Sequence, residues 1–591
     1  MMVCLEDKKI FESIDNHDYV SFNLFDTLLV GSFCKTTDLF SYIEKEMDID
    51  NFKKIRLAAE KKVRKVSNYE EVTIQEIYSQ MGHYKDYIKT ELDVEEKNYH
   101  INPKIVNYYE YARRSNKKII VISDTCLPEE LIQKILKQNG INRVDYYYIS
   151  SSKRKQKKTG SLFIELINDL NIEPCNIIHV GCSYEDDVRP ALKNNIKSVF
   201  ISKIVDDCVF KYRYNRKIVE NNYELSQMIM QIAIKNAIGH NDYLYKFGYE
   251  YGGPLSYSFV KWIIDYIDHN KDVTDVLFIA RDGFLLKKMV DLIRPDIKTH
   301  YVYAPRIFNL INNIDYKSNH YDTEEQLKTI LKRYGKEIDC SNSEDLSVKE
   351  MIKLLQDNHS KLECLSRKER ENYRTYLGKQ NIGDGTVAIV DTITDKFSAQ
   401  KVIEGAIDNR CIGLYWVVLL DAVLDNKDIN YAAFQKTHAH ILYNWNLTEM
   451  ILSSPEPPII GLSEGAPEYG SINEYEKKRI DYFNKIAAGV MDYFNDVMAQ
   501  SLQVNISNKS ITSYLNNRLK HPSEEDMDNF ESFIFSSSVD HSDYCLINPF
   551  RDKWTKSQNN TFIFGYENLC NELKKHQSIY RTMKKIKNWL Q

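Results

Sequence analysis

Ser21-Phe22-Asn23-Leu24-Phe25-Asp26-Thr27-Leu28-Leu29 is the stretch on which the fold turns. Tyr19 and Val20 lead into it, so an apolar run meets the polar pair Asp26-Thr27 before apolar residues resume. That pattern predicts a buried strand running into a turn. In an open α/β sheet, ligands bind at the carboxyl end of such a strand. Working outward, short strands are predicted at Lys117–Ile122, Asp145–Ile149, Asn176–Val180 and Lys197–Ile201, with helical patterns between them. From Thr37 to Tyr99 the pattern is helical throughout, with Leu39, Ile43, Ile55, Ala59 and Val63 on its apolar stripe.

The strand ends carry polar groups in a fixed order. Asn23 comes first, then Ser123-Asp124, then Lys157 six residues before Phe163, then Gly181-Cys182-Ser183-Tyr184-Glu185-Asp186-Asp187-Val188. From Tyr19 to about Ile204 this series resembles the four motifs of the haloacid-dehalogenase (HAD) superfamily. The resemblance implies a HAD-like, Rossmann-type parallel sheet with a helical cap over about 37–99. In the branch that reads Asp-x-Phe-Asp-Thr, the leading Asp is the nucleophile that becomes aspartyl-phosphate; here that position is Asn23. The family pattern gives Ser123 a hydrogen bond to the phosphoryl group and Lys157 the neutralisation of charge, with Lys158 in that role if the register slips by one. Cys182 stands where a metal-binding Asp is expected, and Asp187 holds the second acidic position. On the residues alone, Ser123 also reads as a helix N-cap ahead of Pro128-Glu129-Glu130, and Asp26 as a turn residue.

Magnesium takes hard oxygen ligands in near-octahedral geometry. Asn23 is a neutral amide and a poor nucleophile, and the thiol of Cys182 suits magnesium poorly. Asp187, Asp186 and the Phe25 carbonyl are the ligands that remain, so the Mg2+ implied by the resemblance meets an incomplete cage. The two departures point to a pseudophosphatase that keeps an anion site built from Ser123, Lys157 and the turn amides after Asn23. The alternative is an active HAD-type phosphohydrolase.

A chain of 591 residues exceeds one ordinary core. The predicted organisation is a HAD-like domain over 1–205, a helical linker over 206–245, a second α/β domain over 246–472 with a helical insertion at about 323–380, and a mostly helical region over 473–591. The second domain rests on the strand Asp275–Ala280, ending on Arg281-Asp282, the strand Tyr301–Tyr303 with Arg306 beyond it, and the strand Thr386–Val390, ending on Asp391 with Asp395-Lys396 after it. Arg281, Asp282, Arg306, Asp391, Asp395 and Lys396 are therefore ligand-binding candidates at strand ends, and arginines there suit a diphosphate or a sugar phosphate. The plainer reading makes Asp282 and Asp395 helix caps, with Arg281 paired to one of them.

Tyr249–Pro254, Phe278–Leu285 and Ile389–Gln400 resemble segments of large HAD-linked proteins associated with bacterial surface-polysaccharide genes. This implies a role in capsule-type glycan assembly beside other glycan-assembly proteins. Sugar phosphates or nucleotide sugars are the implied ligands, with any glycosyl or phosphosugar transfer placed in the second domain. A non-catalytic scaffold is the third reading. The hydrophobic fraction of 43% and charged fraction of 28% are those of a globular protein, and a net charge of -5 gives no reason to expect nucleic acid. The 11 cysteines show no Cys-x-x-Cys pair, and Leu414–Leu424 is too short to span a bilayer. A cytoplasmic, reducing location is expected, without a transmembrane segment.

Overall fold

The computed structural model describes residues 5–211, 213–240, 242–304, 321–340, 346–394, 396–420, 426–437, 445–457, 459–463, 465–470, 472–530, 533–535 and 545–547. The chain forms two compact units, residues 1–241 with 497–510, and residues 242–496 with 511–591. The stretch read as a linker therefore divides at residue 241. Ser226 donates to Asp38 at 2.7 Å and Gln227 to the Leu502 carbonyl at 2.6 Å, so its helix Tyr223–Ile238 is pinned within the first unit.

In the first unit, β1 (Tyr19–Asn23) lies at the centre of a five-stranded sheet. The strands β4 (Lys118–Ser123), β5 (Tyr146–Ile149), β6 (Ile177–Gly181) and β7 (Lys197–Phe200) complete it in the order β5-β4-β1-β6-β7, with every pair parallel. A parallel sheet is covered on both faces, which is why its strands read as short, nearly continuous apolar runs. Ile119 and Val121 join one buried cluster with Phe22 and Val180, and Ile120 and Ile122 join another with Leu162, Phe163 and Leu166. This is the period of two expected of a strand.

Leu29–Gly31 (β2) and Tyr99–Ile101 (β3) pair antiparallel and form the stem of the helical insertion. Between them lie the helices Thr36–Glu46, Phe52–Val66, Ile74–Ser79 and Ile88–Asn98. Thr73 and Glu76 close a capping box at the start of the third. Inside the insertion, the fully buried Arg56 and Glu91 pair at 2.9 Å, and Tyr78 donates its hydroxyl to Glu91 at 2.7 Å. The helix Val106–Arg114 follows a turn in which Asn102 Oδ1 accepts the Lys104 amide at 2.9 Å.

The second unit repeats the α/β principle. Its sheet contains β8 (Val273–Ile279), β9 (Thr299–Val302), β10 (Thr386–Thr394), β11 (Cys411–Leu419) and β12 (Tyr431–Thr437), parallel throughout, in the order β12-β11-β10-β8-β9. Helices Tyr321–Tyr334, Val348–Asp357 and His359–Gly378 fill the interval between β9 and β10. The segment Tyr249–Pro254 serves packing. A Cβ on Gly248 would lie 2.1 Å from the Ile486 carbonyl, and one on Gly489 would lie 2.1 Å from the Tyr245 carbonyl. Only glycines on both sides let these helical backbones approach so closely. Among the described residues no helix is long and apolar enough to cross a membrane.

Candidate functional site

The carboxyl edge of the first sheet brings together Asn23, Lys157, Cys182 and Asp187. β1 delivers Asn23 at its last residue, and β6 ends on Gly181 just before Cys182. The Lys157 ammonium donates to Asn23 Oδ1 at 2.7 Å and to Asp187 Oδ1. Lys157 and Asp187 are 3% and 0% exposed, so this ion pair is shut away from water. Asp187 Oδ2 accepts the amides of Cys182 and Ser183, each at 2.8 Å. Burial opposes ionisation of Asp187, but His179 and Lys157 outweigh it and hold the carboxyl well below the usual carboxylate range.

His179 lies behind this pair, fully buried, and burial lowers its own pKa. Its Nδ1 is 2.9 Å from Ser21 Oγ, while Nε2 lies 3.8 Å from Asp187 Oδ1, too far for a hydrogen bond.

Asn23 is oriented by its neighbours. Its Nδ2 donates to the Phe25 carbonyl at 2.8 Å and to Thr27 Oγ1 at 3.1 Å, and lies 3.8 Å from Cys182 Sγ. Turning the amide over would set NH2 against an ammonium and oxygen against a carbonyl, so the partners decide the assignment. Burial pushes the Cys182 thiol up, away from the thiolate form that binds metal.

Ser123 ends β4 beside β1 and is not a helix cap; Pro128 holds that position for the helix Glu129–Gln138. Lys157 occupies the site, and Lys158 only offers its amide to Asp124 at 3.1 Å, so the alternative register is not adopted. Asp124 also accepts the Lys157 amide at 2.6 Å and thereby fixes the loop. Asp26 sits in the left-handed turn region, φ 57°, and pairs with Lys203 at 2.6 Å. Asp186 is exposed and engaged by Ser183 at 3.0 Å, apart from the Lys157 cluster.

The sequence reading missed the carboxylates of the helical insertion that hold the Lys157 loop. Glu70 accepts from the Gln156 amide and the Thr159 hydroxyl, both at 2.8 Å. Glu71 accepts from Ser150 at 3.1 Å and from Gln156 at 3.2 Å. Arg154 grips Glu76 with two bonds of 2.8 and 2.7 Å. Three acidic residues within seven positions were the available signal, but charge on a helix surface ordinarily means solvent.

In the second unit, Arg281 and Asp282 follow β8, while β10 runs on to Thr394, so Asp391 lies within the strand rather than beyond its end. Asp282 occupies the N-cap position of helix Gly283–Ile293 but makes no capping bond; it accepts from the Thr392 hydroxyl instead. Arg281 lies 3.5 Å from Glu476. Lys396 is exposed, and Arg306 and Asp395 lie outside the described residues.

Residues remote in sequence extend this edge. Arg479, itself buried, binds Glu476 at 2.8 Å, Ser453 at 2.8 Å and the Glu456 carbonyl at 2.7 Å. Tyr301 and Tyr303 donate to the Glu456 carboxylate at 2.9 and 3.1 Å. Arg479 could not be singled out because it lies on a long helix, Glu474–Met498, where one arginine among many charges carries no mark.

The first unit is a parallel α/β fold with a helical insertion after its central strand. No family model and no curated protein matches the chain. Among solved structures it is similar to the L-2-haloacid dehalogenase from Xanthobacter autotrophicus, with 11% identity over 36% of this chain and 86% of that one, at a TM-score of 0.26. It is similar to a HAD phosphatase from Thermococcus onnurineus, with 18% identity over 31% and 86% of the two chains, at a TM-score of 0.24. A third is a predicted HAD-like family hydrolase from Porphyromonas gingivalis, with 12% identity over 32% and 92%, at a TM-score of 0.25.

The residues present do not fit the magnesium ion that the resemblance implies. Among the described residues no group of three or more His, Cys, Asp or Glu side chains is placed to hold a metal. The Asn23 N–H2 faces the Phe25 carbonyl, and both Asp187 oxygens are taken.

Proposed function

We propose that this is a HAD-like protein of bacterial surface-polysaccharide assembly whose first unit binds a phosphate-type anion without hydrolysing it. Glycosyl or phosphosugar transfer belongs to the second unit. The observation that carries the first part is the Asn23 carboxamide at the attacking position, committed through Nδ2 to the Phe25 carbonyl and through Oδ1 to Lys157. An amide so engaged offers no anionic oxygen for an aspartyl-phosphate route. The glycan role is supported by the resemblance of Tyr249–Pro254, Phe278–Leu285 and Ile389–Gln400. Placing chemistry in the second unit is supported by Arg281 and Asp282 just past the end of β8, with Asp391 on the neighbouring strand β10.

Two measurements test the proposal. Wild-type protein should release negligible phosphate from generic phosphomonoesters, with or without magnesium. Robust magnesium-dependent release, abolished by Lys157→Ala, would establish the phosphohydrolase reading instead. Trp262, Trp416 and Trp445 lie in the second unit, and their fluorescence follows its thermal unfolding. Nucleotide sugars or sugar phosphates should raise that transition, and the shift should be lost in Arg281→Ala. No shift with any donor would favour the scaffold.

A further inference from the structure

We propose that the Asn23 carboxamide stands in for a divalent cation, making the first unit's pocket a metal-independent receptor for a phosphate-class anion. This rests on the non-hydrolytic reading above. The Phe25 carbonyl and position 182 are where the resemblance puts metal ligands. Here the Asn23 N–H2 lies among them, 2.8 Å from Phe25 O, 3.1 Å from Thr27 Oγ1 and 3.8 Å from Cys182 Sγ. A carboxylate at position 23 would face that carbonyl oxygen to oxygen and need a cation between them. The amide supplies the positive end of its own dipole.

The charge balance agrees. Carboxylates at positions 23 and 182 would add two negative charges, and a divalent cation would cancel both. With Asn and Cys there, Lys157 and Asp187 already sum to zero. A bare anion therefore meets the same net charge that it would meet in a metal-loaded carboxylate site. Binding groups also remain. Lys157 has three N–H donors and spends two on Asn23 and Asp187. Ser123, 1% exposed, has no hydrogen-bond partner for its hydroxyl among the described residues. It lies at the end of β4, next to the end of β1.

Calorimetric titration of the full chain with inorganic phosphate, in EDTA and in magnesium chloride, tests this. Equal affinity is expected in both, and no binding heat from magnesium chloride alone. Asn23→Asp should weaken phosphate binding in EDTA by about tenfold or more, with partial recovery in magnesium. Ser123→Ala should weaken it by several-fold under both conditions, and it leaves the buried ion pair intact, so folding is not at issue. Binding that requires magnesium overturns the inference. So does phosphate binding that neither variant changes, because the anion then lies elsewhere. Absence of phosphate binding in both buffers overturns it too, while leaving the lack of hydrolysis standing. Turnover by wild type would instead strike the reading on which it rests.

Discussion

Lys157→Met should destabilise the first unit by about 3 kcal/mol. Breaking a buried ion pair by removing one partner costs roughly 3–5 kcal/mol, because the other charge is left in a low-dielectric interior. Asp187 keeps two amide hydrogen bonds at 2.8 Å, which places the cost at the lower end. Asp187→Asn should cost a similar amount by stranding the ammonium. The double variant buries neither charge, so the two singles should be non-additive by about 2 kcal/mol. Urea unfolding of the full chain reads this out. Far-UV circular dichroism follows both units, whereas the fluorescence of Trp262, Trp416 and Trp445 follows the second, so the dichroism transition should move and their fluorescence transition should not. The folded-state pKa of Asp187 is depressed, so its contribution is complete above the unfolded carboxylate value of about 3.9 and is lost as pH falls below it. The gap between wild type and Asp187→Asn should therefore persist to about pH 4 and close only on further acidification. A loss below about 1 kcal/mol for Lys157→Met, or singles that add within about 0.5 kcal/mol, would refute the coupled buried pair.

Three other outcomes are expected. Burial, followed by the charge of Glu91, raises Glu95 from 4.5 to about 7, so wild type should lose stability as pH rises from 4.5 to about 7. Glu95→Gln should abolish that slope and gain about 3 kcal/mol at pH 8, read from urea midpoints at pH 5 and 8; an unchanged slope would discard the assignment. Gly489→Ala should cost about 2 kcal/mol in the fluorescence transition, because its methyl meets the Tyr245 carbonyl, while Gly378→Ala, with nothing within 4 Å, should be neutral or better. The double change Asn23→Asp with Cys182→Asp should recover magnesium-dependent phosphate release that neither single change gives, since both act on one transition state; equal turnover from one single would show that the sites act separately.

The sequence by itself determined the first sheet and the residues that stand at its strand ends. Parallel strands buried on two faces must be short apolar runs, and Val20–Phe22, Ile119–Ile122 and Ile177–Val180 are legible as such. Asn23 and Cys182 are equally legible, since a substitution in a spaced motif needs no coordinates. Only tertiary structure decided which way the Asn23 amide points, because Lys157, which orients it, is 134 residues away. It also decided that Arg281 meets Glu476, across 195 residues, and that 497–510 joins the first unit through Gln227 and Leu502, across 275. Side-chain partners so far apart leave no local period or cap in the sequence. Their meeting is set by how the strands order and which helices cover them.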